Sequence, residues 1–187
     1  TSPGGGGPAA RAPAPRPADV EAAIVAARRA FDETDWASVE NAPKRLELVK
    51  KYRALFEQNR DRLGQLAIHE AGAGQGAVHM AHVNMALAGW DDYINLFDQL
   101  EWEIDYGERE AFGNIHKRIG LREPIGVVGA ITPWNVPLYV NIGKVVAALL
   151  AGCTVILKPA PDTPGMGAVF GGLAKGAGFP QGVINVV

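Results

Sequence analysis

"IGVVGAITPWNVPLYV" (residues 125–140) begins as a run of apolar and small residues and ends in two prolines with an asparagine between them. A run that is apolar on both faces suits a parallel strand covered by helices on each side, and predicts a strand over 125–131. Pro133 ends it. Pro137 sits where it can open a helix, because the first turn has no intrahelical partner for the N–H that proline lacks. Asn135 is thereby placed between the carboxyl end of a strand and the amino end of a helix, the position where open α/β sheets bind ligands.

The pattern continues as a predicted helix over 137–151, a strand "TVILK" at 154–158, a helix over 164–177 and a strand "GVINVV" at 182–187. Strands separated by helices of this length imply a parallel, wound sheet. Upstream, "ADVEAAIVAARRAFDE" predicts a first helix with Val20, Ile24, Ala27 and Phe31 on its packed face. Residues 42–72 predict one long helix ended by Gly72, and His79–Leu100 a third, packed through Met80, Val83, Leu87, Trp90, Ile94 and Phe97. "EWEIDYGEREAFGNIHKRIGL" (101–121) reads as a β-hairpin. The expected fold is therefore α/β: amino-terminal helices and a hairpin, then the β-α-β-α-β first half of a Rossmann-like parallel sheet.

A chain of 187 residues can form one domain with a substantial core. With 18 Lys plus Arg against 20 Asp plus Glu the net charge is -2, so no basic surface recommends nucleic acid or an anionic membrane as partner. No apolar run reaches the roughly 18 residues of a membrane span. The start, "TSPGGGGPAARAPAPRP", has no apolar centre of a signal peptide and reads as a disordered tail over 1–17. A single cysteine forms no internal disulfide, in keeping with a reducing cytosol, and a cytoplasmic location is expected. The last residues form an apolar strand without a turn or polar tail, and we expect residues 18–187 to be the partial cofactor-binding domain of a longer protein, without its catalytic domain.

Several apparent motifs fail on context. "GAGQGA" (72–77) fits a permissive dinucleotide fingerprint, but a helix precedes it, whereas the fingerprint needs a strand before and a helix after. His69 and Glu70 start a zinc-protease pattern whose second histidine is replaced by Ala73. His79 and His82 share a helical face without further ligands, so no metal is expected. Cys153, among small residues at a helix-to-strand junction, reads as a buried inert thiol. Two residues remain. The Asn135 amide can donate a hydrogen bond to an oxygen that gains negative charge, or it can serve as a turn residue; Lys158, ending its strand, can donate to ribose or phosphate, or be an ordinary surface lysine.

Taken together, "REPIGVVGAITPWNVPLYVNIGKVVAALLAGCTVILKPAPDTP" (122–164) and "AGFPQGVINVV" (177–187) closely resemble the aldehyde dehydrogenase superfamily, and the earlier helices are similar to its amino-terminal ones. The resemblance covers roughly residues 17–187 and rests above all on "PWN" and "KPA" at this spacing. It implies oxidation of an aldehyde to a carboxylic acid with NAD or NADP, through a cysteine thiohemiacetal and a thioester. It implies that Asn135 helps form the oxyanion hole, that Lys144 supports the active site, that Lys158 binds the adenosine ribose, and that Ile131, Thr132 and Trp134 line the cofactor cleft. Val136, Val140 and Gly143 match positions bordering the substrate tunnel, where small residues imply a bulky or aromatic aldehyde. Pro161 stands where many NAD-preferring members carry glutamate, which keeps NADP open. The nucleophilic cysteine and general-base glutamate are expected downstream of Val187, so the fragment alone is expected to be inactive. The hairpin around 103–121 resembles oligomerisation strands, implying a homodimer or homotetramer. The alternatives are an acylating or phosphate-reducing relative of the same fold, or a non-catalytic nucleotide-binding or interaction fragment.

Overall fold

The computed structural model describes Ala12 and residues 14–187. The expected disordered tail over 1–17 lies largely outside the described residues. Helix α1 (Pro17–Glu33) starts with proline at its first position, and the Asp19 carboxylate accepts the Arg16 backbone N–H at 2.9 Å. Two short 3-10 turns lead into α2 (Ala42–Gln58) and α3 (Arg60–Ala71). The expected single long helix is thus two. The break falls at Asn59, whose side-chain amide donates to the Leu55 carbonyl at 2.9 Å and competes with the helical ladder, an effect that apolar periodicity does not report.

Gly72 ends α3 with φ of 69°, a left-handed conformation that glycine adopts without steric cost. The predicted third helix is also divided, into a π-helical stretch at Val78–Asn84 and α4 (Met85–Phe97). Met80, expected to pack, is 70% exposed, because the wider π turn rotates it away from the face that buries Val78 and Val83. Strands β1 (Glu103–Ala111) and β2 (Asn114–Leu121) form the expected antiparallel hairpin, with an irregular register between Asp105 and Glu108.

The remainder is β3 (Val127–Ile131), α5 (Pro137–Leu150), β4 (Thr154–Lys158), α6 (Pro164–Ala177) and β5 (Ile184–Val186). The three strands are parallel in the order β3-β4-β5, with Ile131 opposite Lys158 and Val155 opposite Ile184. Side chains of β4 alternate between two layers: Val155 and Leu157 join the large core formed with α2 to α6, while Ile156 packs with Ala23 and Ala27 of α1 on the opposite face. Packing against a closely approaching sheet suits alanine, which corrects the expected α1 face. Ala23, Ala27 and Ala30 are buried, Val20 and Phe31 are half-buried, and Ile24 is exposed. Strand β3 is covered less than expected, with Gly129 and Ile131 exposed, because α1 lies mainly over β4.

The main core is aromatic at its centre. Tyr52, Phe56, Trp90 and Phe170 meet edge-on or tilted at centroid separations of 4.8 to 6.4 Å. The Tyr52 hydroxyl donates to the Phe170 carbonyl, tying α2 to α6, and burial pushes its pKa well above the usual phenol value. Thr154 Oγ1 donates to the Ala27 carbonyl at 3.0 Å and so fixes α1 on the sheet.

Candidate functional site

The carboxyl ends of β3 and β4 lie side by side, and the ladder extends one residue further, from Thr132 N to the Lys158 carbonyl at 3.3 Å. This register brings together the loop that bears Asn135 and the strand end that bears Lys158. Pro133 stops the ladder and Pro137, buried, starts α5, so residues 133–136 form a short bridge between two rigid elements. Along it, Trp134 is 53% exposed, Asn135 is exposed without a side-chain hydrogen bond among the described residues, and Val136 is half-buried.

A cavity of about 890 Å³ opens at the end of β4, walled by Lys158, Pro159, Pro161, Pro164 and Asn185. Lys158 is half-buried, and among the described residues its ammonium donates only to the adjoining Pro159 carbonyl at 3.2 Å. Asp19 is the acidic residue on the wall, and it is held by the Arg16 guanidinium through paired 3.0 Å contacts. Ile131, Thr132 and Trp134, expected to line the cofactor cleft, lie outside the wall of this cavity; Ile131, opposite Lys158 in the ladder, is 75% exposed, whereas Thr132 is 5% exposed and its buried hydroxyl has no partner among the described residues.

A second cavity of about 450 Å³ lies between α4 and α5. Val140, Gly143 and Lys144 line it from α5; Val136 lies outside its wall. Gly89, Asp92 and Tyr93 of α4 form the opposite wall, which sequence reasoning missed, although glycine and tyrosine at i and i+4 on an amphipathic helix were visible. Glu70 was missed as well. Its carboxylate accepts from the Gly165 and Met166 N–H groups at 2.7 and 2.9 Å and fixes the first turn of α6 next to the larger cavity. Burial raises the Glu70 pKa, against the lowering effect of the two N–H donors. Cys153 is buried where α5 turns into β4, and its carbonyl accepts the Trp36 indole N–H at 3.0 Å. Among the described residues, no group of three or more His, Cys, Asp or Glu could hold a metal ion, and no helix is long and apolar enough to cross a membrane.

This geometry accompanies a match over the whole chain: residues 1–187 fit the model of the aldehyde dehydrogenase family. The chain belongs to that family. Aldehyde dehydrogenase 1 of Tanacetum cinerariifolium is 36% identical over 92% of this chain and 33% of its own length. The 3-sulfolactaldehyde dehydrogenase of Pseudomonas putida is 36% identical over 100% of this chain and 37% of its own length. Among solved structures, the Mycobacterium tuberculosis aldehyde dehydrogenase complexed with NAD+ superposes with a TM-score of 0.83 at 34% identity, over 91% of this chain and 34% of that one. An NADP dependent enzyme of E. coli superposes at 0.78 with 30% identity, over 91% of this chain and 34% of that one. The chain thus spans about a third of the length of the aldehyde dehydrogenases it matches. The expected α/β fold, with a Rossmann-like parallel sheet, is the fold of these relatives.

Proposed function

We propose that the complete protein oxidises an aldehyde to a carboxylic acid with NAD or NADP, and that this chain supplies the oxyanion donor and the adenosine end of the cofactor site. The single observation that carries the reading is the unpaired Asn135 amide, held between β3 and α5 beside the strand end that bears Lys158. An amide oriented in advance stabilises an aldehyde oxygen as it becomes negative, and does so without titrating. The bridge between two prolines is short and fixed at both ends, which places the Asn135 backbone at this edge of the sheet and leaves its amide unengaged by the described residues.

The larger cavity has the chemistry for a dinucleotide. Lys158 can donate to ribose hydroxyls, and exposed Ile131, opposite it at the end of the neighbouring strand, offers apolar surface next to it. The bound nicotinamide would accept the hydride from the substrate. Pro161 brings no carboxylate to the wall, and Asp19 is paired with Arg16, so among the described residues no unpaired carboxylate faces a ribose phosphate there; this supports use of either NAD or NADP. Lys144, on the wall of the smaller cavity, supports the active site from the side of α5. Buried Cys153 is not suited to attack a substrate, so in this reading the nucleophile comes from outside this chain. The hairpin, exposed along both strands, packs on another subunit of a homodimer or homotetramer.

The test is NAD(P)H formation by the purified full-length gene product, followed by absorbance with a panel of aldehydes. Aldehyde-dependent reduction of either cofactor is expected. Its absence with every aldehyde would overturn the proposal.

A further inference from the structure

Helices α4 and α5 exchange tyrosine for glycine at two successive levels. At the first, a Cβ on Gly89 would stand 3.2 Å from Tyr139 Cε2; at the second, a Cβ on Gly143 would stand 3.5 Å from the Tyr93 hydroxyl oxygen. Each glycine leaves the space that the other helix's ring or hydroxyl uses. The result is a slot of about 450 Å³ with aromatic edges, apolar Leu96 and Val140 on its sides, and the Tyr93 hydroxyl inside it. Tyr93 is only half-buried, and its hydroxyl makes no hydrogen bond among the described residues. A tyrosine that packed merely as a hydrophobe would leave the slot without any built-in polar selectivity; here the polar end points at the space that Gly143 vacates.

We infer that this slot takes the ring of a hydroxylated aromatic aldehyde and that Tyr93 reads its ring hydroxyl. The inference rests on the proposed aldehyde oxidation. Aromatic edges favour a planar ring in offset or edge-to-face contact, and a phenol oxygen can pair with the free Tyr93 hydroxyl as donor or acceptor. Asp92 on the α4 wall and Lys144 on the α5 wall carry opposite charges, so the slot has no net sign and suits a neutral phenol over an anion. From Pro137 to Gly143 the helix rises about 9 Å. A carbonyl held at Asn135 therefore leaves room for a ring carried beyond a short bridge, as in 4-hydroxycinnamaldehyde, with its hydroxyl at the Tyr93 end.

The experiment compares 4-hydroxycinnamaldehyde, cinnamaldehyde and hexanal as substrates of the full-length gene product and of Tyr93→Phe, which keeps the ring and its packing. The wild type should prefer the hydroxylated substrate. Tyr93→Phe should lower kcat/KM for it about three- to tenfold, the worth of one hydrogen bond between neutral groups, and leave the other two unchanged. An equal effect on all three substrates, no effect on any, or a wild type indifferent to the ring hydroxyl overturns the inference while leaving the aldehyde oxidation standing. Failure to turn over any of the three, or acetaldehyde, overturns the proposed activity and this inference with it.

Discussion

The Glu70 carboxylate holds the Gly165 backbone N–H at 2.7 Å, a tertiary cap that joins the end of α3 to the first turn of α6 across 95 residues of sequence. Thr163, the residue at the usual capping position, makes no side-chain cap, so the negative charge at this helix terminus comes from another element. Replacing Glu70 by Ala leaves the Gly165 and Met166 donors without acceptors and should cost about 1–3 kcal/mol in urea unfolding. The pH dependence has a definite sign. Burial raises the carboxyl pKa in the folded state, so the folded protein retains a proton that the unfolded chain has lost. This contribution to stability is present below the unfolded pKa and declines as pH rises through the folded one. Glu70→Gln keeps an oxygen acceptor and should flatten that decline; an unchanged pH profile would refute the assignment.

Gly182 and Gly129 should differ sharply in their response to the same substitution. At Gly182 φ is 88°, and an added Cβ would lie 2.5 Å from the Ala26 carbonyl oxygen of α1. Left-handed strain of about 1–2 kcal/mol and overpacking of about 1–3 kcal/mol should lower the Tm of Gly182→Ala markedly. At Gly129 nothing lies within 4 Å of the added carbon. Gly129→Ala should stay within about 0.5 kcal/mol of the parent by thermal unfolding.

Asn135→Ala should leave stability unchanged, since the side chain is exposed and makes no hydrogen bond among the described residues. In the complete enzyme it should reduce kcat by about 10²- to 10³-fold, as expected for one oxyanion donor. Steady-state kinetics with normal cofactor affinity would show this, and an undiminished kcat would remove Asn135 from the chemistry.

Gly143→Trp should fill the slot between α4 and α5, because the Tyr93 hydroxyl already lies 3.5 Å from the added Cβ position. Catalytic efficiency should fall more for bulky aldehydes than for acetaldehyde. Equal losses would sink the idea that this space admits the substrate.

The hairpin carries Phe112, fully exposed, and Ile115, 73% exposed, on a two-stranded ribbon that is marginal by itself in water. Sedimentation of the full-length protein should give a dimer or tetramer. Phe112→Asp with Ile115→Lys should shift it toward monomer, and a monomeric parent would refute the assignment.

Local chemistry made the order of elements from Val127 to Ala177 legible: strand-length apolar runs, prolines at the entries of α5 and α6, and glycines beyond the helix ends. The same local reading placed Asn135 in the strand-to-helix bridge and Lys158 at a strand end, and the motifs around them carried the resemblance to the aldehyde dehydrogenases. Periodicity was less informative where side chains bend the rules of a regular helix. Asn59 divides the long helix, the π turn swings Met80 outward, and α1 packs through alanines because the sheet lies close.

By itself, then, the sequence determined which segments are strands and helices in the last third, the family, and the two residues that bracket the candidate site, because turn, cap and strand preferences act over a few neighbouring residues. Only the tertiary structure decided that Glu70 caps α6, that Thr132 is buried without a partner among the described residues, and that Tyr93 stands over Gly143. Those relationships join elements far apart in the chain. They depend on helix rotation and register in the packed core, which no local preference encodes.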